Sequence, residues 1–377
     1  MTYLFWISLL LLLYVFQGYL WVLRLFPSKN QVAQDAACVL PKTTVLLTVF
    51  NEEAEVAARI ENLLALYFPH DKLQILVASD GSTDGTDAIV SAFADSRVQL
   101  FRPQDALGKT DTQNQAITLA TGEILVFTDA ETRFEPEFLH ALLVPFADAR
   151  VGGASGCLHF QRAKEDGIAR NQGFYWRYEL KLREQESRLG LLAVASGACM
   201  AVRRQLFRQM TAAYGEDCIL PLDVVSQGAT FVHVPQARAV DRMASSQEGE
   251  LATRSRMTLR NWQGTWAYPH LLNPFKSPGY AFALWSHKIL RWCAPLFLAT
   301  ASLAVSLLAA HSLFYGLAAA GFAGFYLMAL SGWWAQRRKL RWPLVHTAYS
   351  FLLANLGFAL GLWRALRGEQ IRKYKHD

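Results

Sequence analysis

Three apolar runs in this 377-residue chain end in residues able to bind or polarise a ligand. Residues 44–50 lead into Asn51-Glu52-Glu53, residues 73–79 into Asp80 and Asp84, and residues 123–128 into Asp129-Ala130-Glu131. In open α/β sheets, ligands bind beyond the carboxyl ends of the strands. Three neighbouring strands would therefore bring these groups to one edge. Asn51 and Asp80 suit the hydroxyls and polar edges of a sugar-like ligand. Asp129 and Glu131 point the same way from an extended segment. Two such carboxylates can share a hard divalent cation, which would help a diphosphate leave.

Further along, Lys109 follows Gly108 at a predicted helix start, with Asn114 just beyond it. A helix start carrying a lysine favours a phosphate. Glu216 and Asp217 follow Gly215 at another helix start, where the helix dipole favours acids in any case. One of them, in a tuned environment, could take a proton from a hydroxyl. Arg256 and Arg260 share a helix face, and with Trp262 they could hold a diphosphate and stack on a sugar. Each group also has an ordinary reading: a capped turn, a solvated acid, an exposed lysine, a lipid-headgroup contact.

The elements that must position these groups alternate. Predicted helices over 52–67, 83–93 (capped by Ser82) and 109–120 separate strands at 44–50, 73–79, 98–101 and 123–128. That alternation predicts an α/β fold, a mostly parallel sheet flanked by helices. Beyond it, the pattern predicts strands at 154–160 and 230–233 and helices at 166–188 and 218–227.

The chain is 52% hydrophobic with 18% charged residues, and the apolar excess lies at its two ends. Residues 3–23, 292–310, 312–334 and 342–363 contain no Asp, Glu, Lys or Arg, and such lengths can cross a bilayer. No small-x-small cleavage site follows the first run, so a retained anchor is expected rather than a signal peptide. Residues 282–291, with His287, Lys288 and Arg291 among apolar neighbours, predict an amphipathic interface helix. The expected organisation is an anchor over 1–24, a catalytic domain over 25–280, and an interface helix with transmembrane segments over 281–377. Arg24, Lys29 and Lys42, together with Arg337, Arg338, Lys339 and Arg341, put the middle domain in the cytoplasm by the positive-inside bias. Arg364, Arg367, Arg372, Lys373 and Lys375 then fall on the other side. Either the last apolar run re-enters, or the tail departs from the bias. The net charge of +6 gathers beside the membrane and reads as lipid contact, not nucleic-acid binding. Cys38, Cys157, Cys199, Cys218 and Cys293 have no zinc-like spacing and read as reduced thiols.

With these residues in view, the chain resembles family 2 glycosyltransferases over nearly its whole length. The branch is the membrane-bound one that includes hyaluronan, chitin, cellulose and poly-N-acetylglucosamine synthases. The resemblance implies a GT-A fold with N- and C-terminal transmembrane helices in a bacterial inner membrane. It also implies a nucleotide-diphosphate sugar donor (a UDP-sugar is expected), Mg²⁺ or Mn²⁺, and inversion at the anomeric carbon. By resemblance, Asn51, Glu53 and Asp80 contact the nucleotide, and Lys109 and Asn114 lie near the donor. Asp129 and Glu131 stand at the family's D-x-D, with Glu131 in place of the second Asp. Gly197, within Ser196-Gly197-Ala198, and Glu216 are on the acceptor side, and Asp217 is the catalytic base. The Q-x-x-R-W signature is not present as such. Arg260-Asn261-Trp262 stands near its place with one extra residue, so Arg260 and Trp262 inherit the donor-gating role and processivity stays open. The implied activity is transfer to a saccharide acceptor at the membrane in surface-glycan synthesis. Transfer of one sugar to a polyprenyl phosphate or lipid-linked oligosaccharide is the alternative. A catalytically silent sensor or scaffold is disfavoured by Asp80, Asp129 and Asp217. A nucleotidyltransferase would need a glycine-rich loop where Asn51-Glu52-Glu53-Ala54 stands. The sequence leaves the oligomeric state open.

Overall fold

The computed structural model describes residues 1–29, 40–161, 167–242, 247–338, 340 and 342–370. Cys38, Lys339, Arg341, Arg372, Lys373 and Lys375 lie outside the described residues, as do most of the 27–42 linker and the first residue of the predicted 166–188 helix. The strands are β1 (Thr43–Val49), β2 (Leu73–Ser79), β3 (Val98–Phe101), β4 (Ile124–Asp129), β5 (Arg133–Phe134), β6 (Val151–Gln161), β7 (Met200–Arg203) and β8 (Thr230–Arg242). They form one sheet in the order β3-β2-β1-β4-β7-β6-β8-β5. The first four strands are all parallel, as the alternation predicts. Beyond β4 the sheet is mixed: β7 runs antiparallel to both β4 and β6, and β5 antiparallel to β8, while β6 and β8 are parallel.

Register places the chemistry. Val49 of β1 pairs with Ser79 of β2, and Thr48 of β1 with Asp129 of β4. The carboxyl ends of the three strands are therefore level, and Asn51, Asp80 and Asp129 emerge along one edge. The helices that follow begin later than the sequence suggests, at Val56 and Thr86. The intervening loops are bonded to each other instead. Ser82, expected as a helix cap, accepts a bond from the Asn51 N–H and shares one with the Ser79 hydroxyl.

Both faces of the parallel half are buried, as helix-covered sheets require. Alternate residues Val45, Leu47, Ile75, Val77 and Val126 pack under Ile60, Leu63 and Phe138. The other set, Leu46, Leu76, Leu125 and Phe127, packs on Ala116, Leu220 and Leu222. The same layer continues into Leu272, Trp292 and Phe358. The sheet and the apolar C-terminal helices thus share one core.

Among the described residues three helices are long and apolar enough to cross a membrane: Thr2–Leu25, Leu313–Arg337 and Pro343–Leu366. A fourth candidate is the pair Pro278–Trp292 and Ala294–Leu308, bent by 57°. The bend separates the expected interface helix from the span that follows it. Two segments are π-helical, Tyr14–Gly18 and Trp285–Ile289, and they meet where the Tyr14 and Ser286 hydroxyls lie 2.8 Å apart. Beside them sits a buried ionic cluster. Glu179, on the helix Gly167–Arg188, accepts from Arg183 Nε at 3.1 Å and Arg291 Nη1 at 2.8 Å. His287 places Nε2 3.0 Å from Glu179 and Nδ1 2.8 Å from Glu186. Tyr19 donates to Glu186 at 2.8 Å. Burial pushes the Glu179 carboxyl up, but His287, Lys288 and Arg183 outweigh it and hold the group well below the usual carboxylate range.

His233, in β8, is buried with its Nδ1 3.2 Å from the Ser155 carbonyl. Burial and the nearby Arg183 push the imidazole down from 6.5 to about 3. The unfolded chain takes up a proton as pH falls below 6.5, whereas the folded chain resists until about 3. Stability that is fully present above 6.5 is therefore lost across that window, by several kcal/mol at the acid end. His233→Asn, which keeps a donor near the position of Nδ1, should flatten this loss. Thermal midpoints of both proteins between about pH 7 and 4 check it; parallel curves would refute it.

Candidate active site

The edge predicted to bind the donor is built from two laced loops. Among the described residues Asn51 is the only non-glycine with positive φ, at 53°. Backbone strain of this kind persists only where surrounding bonds fix it. Here Asn51 Oδ1 accepts from the Thr83 N–H at 2.8 Å, and Glu53 Oε2 accepts from the Gly85 N–H at 2.8 Å. The Glu52 N–H donates to Thr86 Oγ1 at 2.8 Å. Burial pushes the Glu52 carboxyl up, reinforced by Glu131, Glu55, Asp129 and Asp84. That shared field locates Glu131, which is exposed, beside the same cleft. Asp80 Oδ1 accepts three bonds, from Leu107 N at 2.8 Å, Gly108 N at 3.0 Å and Thr112 Oγ1 at 2.7 Å. Those bonds fix the start of the helix Lys109–Ala116 and so aim Lys109.

Lys109 Nζ lies 2.7 Å from Asp129 Oδ1 and 2.6 Å from Glu216 Oε1. It joins the end of β4 to the first turn of the helix Glu216–Ser226. Burial pushes the Glu216 carboxyl up, Lys109 pulls it down, and Asp129 and Asp217 push it up again. Its Oε2 is buried without a hydrogen-bond partner among the described residues. Gly197 lies against the same carboxylate, with its Cβ position 3.0 Å from Glu216 Oε1. Next along the helix, Asp217 is half-buried. A Cβ at Gly215 would stand 2.5 Å from Asp217 Oδ1 and 2.6 Å from Asn261 Oδ1. Only glycine there lets both oxygens approach the backbone. Lys109 thus joins Asp129 to Glu216, the chain neighbour of Asp217, and Asp80 holds the loop that leads into Lys109.

Some predicted residues have other commitments. Both ends of the Asn114 amide bond the main chain of Met210, Nδ2 to its carbonyl at 2.8 Å and Oδ1 from its N–H at 2.9 Å. Arg260 is buried and donates to the carbonyls of Ala212, at 3.3 Å, and Tyr214. It thereby fixes the turn before Gly215. Trp262 packs against Trp266 and Trp292. Arg256, on the same helix Gln247–Trp266, is half-buried. Sequence reasoning missed Asn261 and Arg59. Arg59 is fully buried and donates to Thr128 Oγ1 at 2.6 Å, directly before Asp129. Burial, with Arg133 nearby, lowers it to about 9. Its signal was available: three residues after Val56, it falls on the helix's buried face.

Among the described residues no three His, Cys, Asp or Glu side chains gather as a ready metal cage. Asp129, with 40% of its side chain exposed, and the exposed Glu131 nevertheless offer hard oxygen donors at a strand end. Mg²⁺ is commonly bound by one or two carboxylates plus substrate phosphates, and this pair fits that pattern.

Behind Asp217 lies a cavity of about 330 Å³. Asp217, Cys218 and Asn261 form one wall. The others come from Trp176 and Arg183, from Leu284 to Trp292 of the bent pair, and from Phe358 of the last candidate span. The acid and the apolar helices therefore share one space.

Sheet and site together define a glycosyltransferase domain with a GT-A-like fold. Residues 44–211 match Glycosyl transferase family 2, and the chain carries a domain of that family. It is 29% identical over 170 residues to a beta-monoglucosyldiacylglycerol synthase of a Nostoc strain, covering 44% of this chain and 36% of that protein. It is 26% identical over 227 residues to an N-acetylglucosaminyltransferase of Neorhizobium galegae, covering 55% of this chain and 52% of the other. The chain thus spans only a third to a half of the length of these curated relatives. The solved structure of the mannosyltransferase PcManGT from Pyrobaculum calidifontis, in complex with GDP-Man and Mn²⁺, superposes with a TM-score of 0.72 at 23% identity, over 97% of this chain and 100% of that one. That likeness establishes the shared fold.

Gly215→Ala should push Asp217 and Asn261 aside while leaving the sheet intact. The expected result is a loss of sugar transfer of at least about tenfold, as misplacement of a reacting group gives, with a melting temperature close to wild type. Unchanged turnover would contradict the contact.

Proposed function

We propose that this protein transfers one sugar from a nucleotide-diphosphate donor, with inversion, to an acceptor that reaches Asp217 from the membrane side. The carrying observation is the cavity that runs from Asp217 to the first half of the bent pair and to Phe358 of the last candidate span. At about 330 Å³ it is sized for one headgroup, which favours single addition to a lipid-borne acceptor over chain growth.

In this reading the nucleotide lies across Asn51, Glu53 and Asp80, and its diphosphate comes to rest beside Lys109 and Asp129. Mg²⁺ or Mn²⁺ held by Asp129 and Glu131 would neutralise the leaving diphosphate. Asp217 takes the proton of the acceptor hydroxyl. The acceptor oxygen bonds to the anomeric carbon as the bond from that carbon to the diphosphate oxygen breaks, and the electron pair leaves with the nucleotide. Lys109 keeps Glu216 and Asp129 apart from this proton traffic, and Arg260 supports the Asp217 turn from behind. Positioning and fixed charge supply most of the acceleration.

Asp217→Asn should lower transfer on the order of 10²–10⁴-fold, the usual worth of a general base, with donor affinity preserved. Equilibrium binding of the nucleotide sugar and release of nucleotide diphosphate check this. Transfer that survives while donor binding is lost would sink the assignment. Labelled donor supplied to membranes should yield a single product increment. A ladder of products would favour the polymerase alternative.

A further inference from the structure

The loop that carries Asp129 and Glu131 is tied down by one face of the helix Val56–Leu64, and we infer that Arg59, at the centre of that face, is the positioning residue that sets how tightly the two carboxylates hold a divalent cation. The inference rests on the proposed function, which gives the cation to that pair.

Glu55, Arg59 and Asn62 are spaced by four and then three residues, so they share one side of the helix and its N-cap. Each meets the loop of residues 128–134. Arg59 Nη2 donates to Thr128 Oγ1 at 2.6 Å, immediately before Asp129. Glu55 Oε2 accepts from Arg133 Nη2 at 2.5 Å. Arg133 Nη1 in turn donates to the Ala130 carbonyl at 2.6 Å, between the two carboxylates. Asn62 closes the far end. Its Oδ1 accepts from the Phe134 N–H and its Nδ2 donates to the Phe134 carbonyl, both at 2.9 Å. Arg59 Nη1 donates to that same Oδ1, and its guanidinium lies 4.2 Å from the centre of the Phe134 ring. One planar group therefore fixes both ends of the loop, and the stretch between those ends holds Asp129 and Glu131.

Burying a cation opposes folding. Arg59 is fully buried, and its Nε has no hydrogen-bond partner among the described residues. An apolar side chain could pack on Phe134 without that cost. What the arginine adds is a rigid fork, whose nitrogens reach two acceptors at fixed angles; an ammonium cannot reproduce it. Asp129 is one of the acids whose field favours the Arg59 charge, so the guanidinium lies close behind the first carboxylate. A positive charge there repels a metal ion, so charge alone would weaken binding. The contribution of Arg59 is therefore geometric. It is too deep to touch a substrate and acts through Thr128 and Phe134.

The test uses the full chain in detergent with Mn²⁺ as probe, followed by loss of the free-ion signal in electron paramagnetic resonance. Arg59→Lys keeps the charge and removes the fork. It should raise the Mn²⁺ dissociation constant about tenfold, as loss of a group that orients metal ligands from behind does. Thr128→Val removes the fork's acceptor with little change of shape and should do the same; it decides the matter if the lysine protein does not fold. Glu131→Gln should also weaken binding. Adding Arg59→Lys to it should cost nothing further, because the fork acts only through the pair. Wild-type Mn²⁺ affinity in Arg59→Lys or in Thr128→Val, or fully additive losses in the double variant, would overturn the inference and leave the proposed function standing. If Asp129→Asn and Glu131→Gln both bind Mn²⁺ as wild type does, the cation does not belong to this pair, and the metal assignment of the proposed function falls together with the inference.

Discussion

One ammonium holds the site together. Lys109 stands between Asp129, at the end of a central strand, and Glu216, at the start of the helix that presents Asp217. Without a cation there, three carboxylates would face one another across a partly dry cleft, and like charges so placed resist ionising together. The bridge also links the two halves of the sheet functionally. One carboxylate belongs to the parallel half, at the edge that carries Asn51 and Asp80, and the other to a helix packed on the mixed half. Asp80 sets the position of Lys109 through three bonds to the loop that precedes it, so even an acid that does not touch the bridge determines where it sits.

The alignment of Asn51, Asp80 and Asp129 on one edge was legible because strand patterns end abruptly in polar residues, and parallel register then leaves them level. Helix starts were misread for a related reason. Glu52 to Glu55 are mostly good helix formers and Ser82 reads as a cap, but side chains of each loop satisfy the other's backbone, a pairing across about thirty residues that local propensity does not contain. The insertion of β7 between β4 and β6 was likewise hidden, since its partners lie far away in the chain. Asn114 and Arg260 look like ligand-binding residues in a motif. Their partners, the main chain of Met210 and the carbonyls of Ala212 and Tyr214, could be identified only in three dimensions.

Catalytic domain and apolar helices are not separate bodies joined by a tether. The layer of Leu46, Leu76, Leu125 and Phe127 runs through Leu220 and Leu222 into Trp292 and Phe358. The ionic cluster ties the first helix to the same seam through Tyr19, Glu186 and His287. Arg183 extends it to the loop before β7 by donating to Ser196 Oγ at 2.8 Å. Polar groups this deep specify one arrangement because any other leaves a charge unanswered.

The two π-helical segments set the phase of this seam. Each turn that is widened by one residue advances every later side chain by about 100° around its axis relative to an unbroken α-helix, which repeats every 3.6 residues. Tyr19 follows the first widened turn, and His287 lies within the second. Both face Glu186 from different helices. Removing a single residue from either segment would unwind that offset and swing its aromatic group away from Glu186. The angular alignment of two separate helices is thus encoded by one surplus residue in each.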